Sequence, residues 1–144
     1  MKHHELSLKE QLNGLKEGSF SSTELTKNYL DRIANFDNEL NSFITVTEES
    51  ALLQAKESDE RYKSNNSLPL DGIPIAHKDI FCTEGILTTC GSKMLSNFKA
   101  PYSSTVVNNL SSEGVVVLGK TNMDEFAMGS SNETSFFGPV KNPW

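Results

Sequence analysis

The sequence predicts an α/β protein with a helical front and a sheet-forming rear. Three observations carry that reading. Serine–glutamate pairs at capping spacing open two successive amphipathic stretches within the first 38 residues. An apolar segment at 73–76 and an all-aliphatic one at 115–118 read as strands, with a helical stretch between them. Charge changes where the pattern does: residues 1–61 carry seven basic and twelve acidic side chains, residues 62–144 six and seven.

Taken in order, Ser7-Leu8-Lys9-Glu10 has the spacing at which serine and glutamate satisfy each other's free backbone donors. Leu8, Leu12 and Leu15 then recur on one helical face, and Gly18 supplies a C-terminal stop. Ser21-Ser22-Thr23-Glu24 repeats the device, with Phe20 and Leu25 placed as a hydrophobic staple. Leu25, Tyr29, Ile33 and Phe36 extend that stripe to about Asn38, so the two helices form an antiparallel hairpin. Phe43-Ile44-Thr45-Val46 reads as a short strand, and Thr47 as the cap of a third helix ending near Lys63, with Ala51, Ala55 and Tyr62 facing inward.

Ser64-Asn65-Asn66-Ser67 breaks that helix, and Asp71-Gly72 signals a turn. Ile73-Pro74-Ile75-Ala76 follows as a strand that Pro74 restricts to an edge or a strand start. Residues 83–92 read as loop. Ser103 or Ser104 opens a helix through Val106, Val107 and Leu110, closed by Gly114. Val115-Val116-Val117-Leu118 has the pattern of a fully buried strand, and strand, helix and strand in that order imply a βαβ unit with parallel pairing. Asn122-Met123-Asp124-Glu125 resembles a further helix cap.

Composition excludes several function classes. The 144 residues are 36% hydrophobic and 22% charged, with a net charge of −6 and no basic stripe able to neutralise many phosphates, so direct nucleic-acid binding is not expected. No apolar run is long enough to span a bilayer. Residues 1–15 are polar and amphipathic, unlike a secretory leader, and two cysteines cannot staple a secreted scaffold; a cytoplasmic protein with reduced thiols is the expectation. His3, His4 and His77 share no metal-ligand spacing with one another or with Cys82 and Cys90, so no metal is expected. Three Asn-x-Ser/Thr sequons have no leader to give them meaning.

Three segments are candidates for chemistry. Gly114-Val115-Val116-Val117-Leu118-Gly119-Lys120-Thr121 matches the phosphate-loop pattern G-x-x-x-x-G-K-(S/T) letter for letter. Its inner residues favour extended, buried backbone, so a core strand followed by a turn is expected in place of a nucleotide site. Lys78 leaves the end of the apolar strand, where α/β sheets build their sites, and a lysine in such surroundings can act as a general base. Against this stands a lysine paired with Asp79 or extending its ammonium to water. Gly129-Ser130-Ser131-Asn132 is small and polar, able either to bring backbone amides close to a substrate or to serve as an ordinary connector.

Gly72-Ile73-Pro74-Ile75-Ala76-His77-Lys78-Asp79, Thr88-Thr89-Cys90-Gly91-Ser92-Lys93-Met94-Leu95 and Gly119-Lys120-Thr121-Asn122-Met123-Asp124-Glu125-Phe126-Ala127-Met128-Gly129-Ser130-Ser131 together resemble the amidase signature family. The resemblance is strongest to its branch of glutamine-hydrolysing subunits of tRNA-dependent amidotransferases, and it runs from the helical hairpin to Asn142-Pro143-Trp144. It implies the front of the amidase signature fold, a helical hairpin followed by the first strands and helices of a mixed sheet. It implies a Ser–cis-Ser–Lys triad with Lys78 as its lysine, and Met128, Gly129 and Ser130 in the substrate pocket. Glutamine would be the amide donor, and its ammonia would convert Glu-tRNA(Gln) into Gln-tRNA(Gln). The implied partners are a B subunit that binds the tRNA and uses ATP with magnesium, and a small C subunit that wraps this one. No cofactor is implied for this chain itself.

In the family, a Gly/Ser-rich signature with both catalytic serines follows the Asn-Pro-Trp segment. None of Ser92, Ser103, Ser104, Ser111, Ser130 or Ser131 sits in such a context. The expectation is therefore that residues 1–144 are the N-terminal portion of a single amidase domain, mainly helical over 1–63 and opening the sheet core over 64–144, incomplete at the C-terminus. Such a piece would hold the lysine without the serines, hydrolyse no glutamine alone, and be poorly soluble or partly unfolded. The competing expectations are a fragment of a stand-alone amidase and a non-catalytic fragment that binds a partner through its helical face.

Overall fold

The computed structural model describes residues 3–144; Met1 and Lys2, the start of the segment read as lacking a leader, lie outside the described residues. The order is α1 (Leu8–Glu17), α2 (Ser22–Leu40), β1 (Phe43–Val46), α3 (Glu48–Lys63), β2 (Pro74–Lys78), α4 (Thr105–Ser112) and β3 (Val116–Thr121). No helix among the described residues is long and apolar enough to cross a membrane. The chain divides into two compact units. One holds residues up to Ala34, Thr47–Ile75 and Asn109–Leu118; the other holds Asn35–Val46, Ala76–Asn108 and Gly119–Trp144.

In the first unit both capping boxes form. The Ser7 amide donates to Glu10 Oε2 at 2.7 Å, and the Ser21 amide donates to Glu24 Oε2 at 2.7 Å. The Glu10 and Glu24 amides donate in return to the Ser7 and Ser21 hydroxyl oxygens. Gly18 ends α1 in the left-handed conformation, which glycine adopts at no steric cost. Phe20 and Leu25, the staple pair, are buried in one cluster with Leu15 and Ile73, and Leu12, Tyr29, Tyr62 and Ile75 pack around them. Each fully buried apolar side chain of this kind contributes about 1.5–3 kcal/mol. Leu8 departs from the expected stripe and is exposed. The buried position on that turn is Gln11, whose amide group donates to Leu6 O and to the Tyr29 hydroxyl, both at 3.0 Å, and links the two helices.

α3 presents Ala51, Ala55 and Ser58, all fully buried, and these small side chains allow close approach. Thr47 occupies the N-cap position but does not cap: its hydroxyl donates instead to Val117 O at 2.9 Å. Arg61 grips the buried Asp71 carboxylate through Nε at 2.8 Å and Nη2 at 2.7 Å. Burial alone would raise the Asp71 pKa, but the Arg61 fork and the Leu68 amide hold it below the usual carboxylate value.

The sheet order is β1-β3-β2. β1 runs antiparallel to β3 in the register Phe43↔Thr121, Thr45↔Lys120 and Val46↔Gly119, with a bulge between Phe43 and Thr45. The Val116 amide donates to Ile73 O, and the Asp79 amide to Thr121 O, so β2 and β3 advance together in parallel. The sheet is therefore mixed, and β2 lies at an edge as Pro74 requires. In α4 the cap is Ser104, whose hydroxyl accepts from the Val107 amide, while the Ser103 hydroxyl accepts from the Glu84 amide.

The structure corrects two further expectations. β3 continues through Gly119, Lys120 and Thr121 where a turn was expected, because Lys120 is fully buried and Gly119 pairs with β1. Asn122 caps no α-helix; only the 3-10 turn Glu125–Ala127 follows. Its amide nitrogen is instead spent on Asn41 O and Gly138 O, each at 3.0 Å, and its oxygen accepts from the Met123 amide and the Ser135 hydroxyl.

Candidate active site

The site is built at the C-terminal end of β2, where side chains alternate between faces. His77 is buried, Lys78 is exposed and Asp79 is fully buried. Burial lowers the His77 pKa and the Lys120 charge lowers it further, so its ring is neutral. Asp79 accepts hydrogen bonds from the Thr89 amide at 2.8 Å and from the Thr89 hydroxyl. Its other oxygen lies 3.4 Å from Lys120 Nζ. That ammonium, with no exposed surface, also donates to Phe81 O at 2.8 Å and to the Thr88 hydroxyl at 2.9 Å. Burial lowers the Lys120 pKa, while the Asp79 carboxylate opposes the shift. Asp79 is thus occupied by Lys120, and the neighbour that could have neutralised Lys78 is withdrawn from it.

Lys78 opens on a cleft of about 340 Å³ that it lines together with Asn122, Asp124, Gly129, Ser130 and Ser131. The connector at 129–132 is therefore a wall of the same cleft as the lysine. Met128 is not among the lining residues and is 83% exposed. The wall is shaped by Asp124, whose Oδ2 accepts from the Ser131 and Asn132 amides at 3.1 and 2.8 Å. Its Oδ1 accepts from the Thr134 amide and hydroxyl at 3.0 and 2.9 Å. The Thr134 and Asn132 amide bonds hold the Asp124 pKa down to about 2. Gly129 is sterically required, since a Cβ there would lie 2.5 Å from Asp124 Cγ.

An exposed amine beside a small-residue wall with backbone amides is suited to moving a proton at a carbonyl substrate. Cys82 and Cys90 are free thiols, and burial followed by the Asp79 charge pushes Cys90 up, away from the reactive thiolate. Residues 116–121 of the phosphate-loop match form strand, with 116–120 buried, so these amides run along a strand and are not gathered in a loop as a phosphate cradle requires. Sequence reasoning missed the Asp79–Lys120 pair and the role of Asp124. The available signal was Lys120 directly after an aliphatic run and a glycine, a charge inside a segment reading as core.

The amidase family's sequence profile matches residues 24–144. The chain is 62% identical over 141 residues to the A subunit of the glutamyl-tRNA(Gln) amidotransferase of Saccharophagus degradans, covering 98% of this chain and 29% of that protein. It is likewise 62% identical over 146 residues to the corresponding A subunit of Alcanivorax borkumensis, covering 98% and 30%. It superposes on the peptide amidase from Stenotrophomonas maltophilia with a TM-score of 0.89 at 33% identity, over 98% of this chain and 30% of that one. The chain thus spans less than a third of the length of the relatives it matches. With the profile matched across most of its length and the fold shared with solved amidases, the chain belongs to the amidase family.

Proposed function

We propose that this chain supplies the lysine of an amide-hydrolysing site and that the full-length protein is the glutamine-hydrolysing subunit of a tRNA-dependent amidotransferase. The observation that carries the reading is Lys78 at the exit of β2, exposed in a cleft shared with Gly129 and Ser130. The high identity to amidotransferase A subunits supports glutamine as the amide. Lys78 takes a proton relayed through a bridging serine, and a second serine's oxygen bonds to the amide carbon. The C–N bond then breaks, the proton passes to nitrogen, ammonia leaves, and water hydrolyses the acyl-enzyme. Both serines belong to the portion of the amidase domain outside residues 1–144, so these residues alone hydrolyse nothing. Gly129 and Ser130, which line the cleft, contact the substrate, and Met128, which stands outside its lining, takes no such role.

On this reading ATP and magnesium are assigned to a partner subunit. Residues 116–120, within the phosphate-loop match, lie along a buried strand. The nucleotide and the metal belong, with the tRNA, to a B subunit, beside a small C subunit, in a cytoplasmic heterotrimer. The test is ammonia release by the full-length protein offered glutamine or a C-terminal peptide amide. Turnover of glutamine alone is expected. Preference for the peptide amide would favour a stand-alone amidase, the activity named for the Stenotrophomonas structure. Failure to release ammonia from either would overturn the enzymatic reading.

A further inference from the structure

The wall opposite the reacting lysine is not held by apolar packing. It is gathered around one carboxylate, and the role inferred for that group rests on reading the Lys78 cleft as an amide-binding site. Asp124 is almost fully buried and accepts four hydrogen bonds, all from residues 131, 132 and 134. To reach them the chain passes through Phe126 and Ala127 at φ 50° and 59°, backbone that L residues avoid and that persists only where its surroundings enforce it. Asn132, also at positive φ, secures the far end by accepting from the Val140 amide at 2.8 Å. Among the described residues, the amides of Gly129 and Ser130 and the Ser130 hydroxyl make no hydrogen bond. The carboxylate thus consumes the amides beyond Ser130 and leaves those at 129 and 130 to the cleft.

We propose that Asp124 is a positioning residue for the amide substrate: it folds the 127–134 loop so that the 129–130 backbone stands beside Lys78 as a preformed set of donors. It touches neither the base nor the reacting carbon. Its effect falls on binding, because a loosened wall weakens substrate and transition state alike and leaves the lysine in place.

The test uses the full-length protein with Asp124→Asn, which keeps the shape but turns an amide donor toward one side's two donors, and with Thr134→Val, which removes the hydroxyl that donates to Asp124 and accepts from the Glu125 amide and leaves the main chain intact. Asp124→Asn is expected to raise KM for glutamine about tenfold or more while kcat falls less than about threefold, and Thr134→Val to raise KM by a smaller factor. Amide hydrogen exchange at Ser131, Asn132 and Thr134 should accelerate in both variants, with exchange in β3 unchanged. A KM equal to wild type in both variants, or a loss confined to kcat, would overturn the inference. So would unaltered exchange at the three amides. If Asp124→Asn fails to fold, Thr134→Val decides by the same two readouts. A wild-type protein that releases no ammonia would sink the amidase reading instead, and exchange would still report whether the carboxylate holds the loop.

Discussion

Lys120 carries its charge with no exposed surface because three oxygens converge on its ammonium: Phe81 O, the Thr88 hydroxyl and the Asp79 carboxylate. Apolar packing of equal volume would serve stability as well, so the retained pair is better explained by what it fixes. It ties three points of the segment that follows Lys78, and so holds the strand end from which the lysine emerges. Lys120→Met in the full-length protein is expected to cost about 3–5 kcal/mol in urea unfolding, since it leaves the Asp79 carboxylate buried without a counter-charge. Adding Asp79→Asn should recover a large part of that loss. Equal stability of the single variant and wild type would contradict the pairing. Residue by residue, the sequence was only partly legible. Lys78 stood out because a charge ended an apolar strand, whereas Lys120 was hidden in a pattern that resembled a phosphate loop, and the four bonds to Asp124 come from residues seven to ten positions away.

Among the elements, local chemistry was easiest to read where it was self-contained. Each capping box lies within four residues, and both formed as expected. Ser21→Ala is expected to cost about 1 kcal/mol in thermal or urea unfolding, and no loss would mean that tertiary packing alone fixes the start of α2. Pairings between distant segments were less legible. Nothing in Phe43-Ile44-Thr45-Val46 indicated that it lies antiparallel against β3, or that Gly119 is needed for the approach. A Cβ on Gly119 would sit 2.1 Å from Thr45 O. Gly119→Ala should therefore cost about 1–3 kcal/mol and speed amide exchange at Thr47, which donates to Leu118 O. An unperturbed Thr47 amide would contradict the register. Thr47 and Asn122 had the right residue type for caps and failed as such because the Thr47 hydroxyl is turned to Val117 O and the Asn122 side-chain oxygen accepts from the Met123 amide and the Ser135 hydroxyl.

For the molecule as a whole, stability in acid should follow its held carboxylates. Asp71 and Asp124 have folded pKa values below the ordinary 3.8, Asp124 at about 2. A depressed folded value contributes stability that is fully present above the unfolded pKa and is lost as pH falls through the folded one. Unfolding free energy should thus be insensitive to these two groups above about pH 4 and decline between about pH 4 and 2. Asp124→Asn should flatten part of that decline, and an unchanged slope would contradict the bonds drawn to its oxygens. The α/β class, the edge position of β2 and its parallel relation to β3 were legible because they follow from strand and helix order and from Pro74. The antiparallel half of the sheet depends on residues 43 and 121 meeting across the chain; the resemblance implied a mixed sheet without indicating this pairing. The proposed chemistry stands or falls with Lys78 as the base, and ammonia release from glutamine by full-length Lys78→Ala decides it. A fold-competent variant is expected, with its melting temperature near wild type because Lys78 is exposed, and its turnover should fall by about 10²–10⁴. Turnover within a few-fold of wild type would contradict that role.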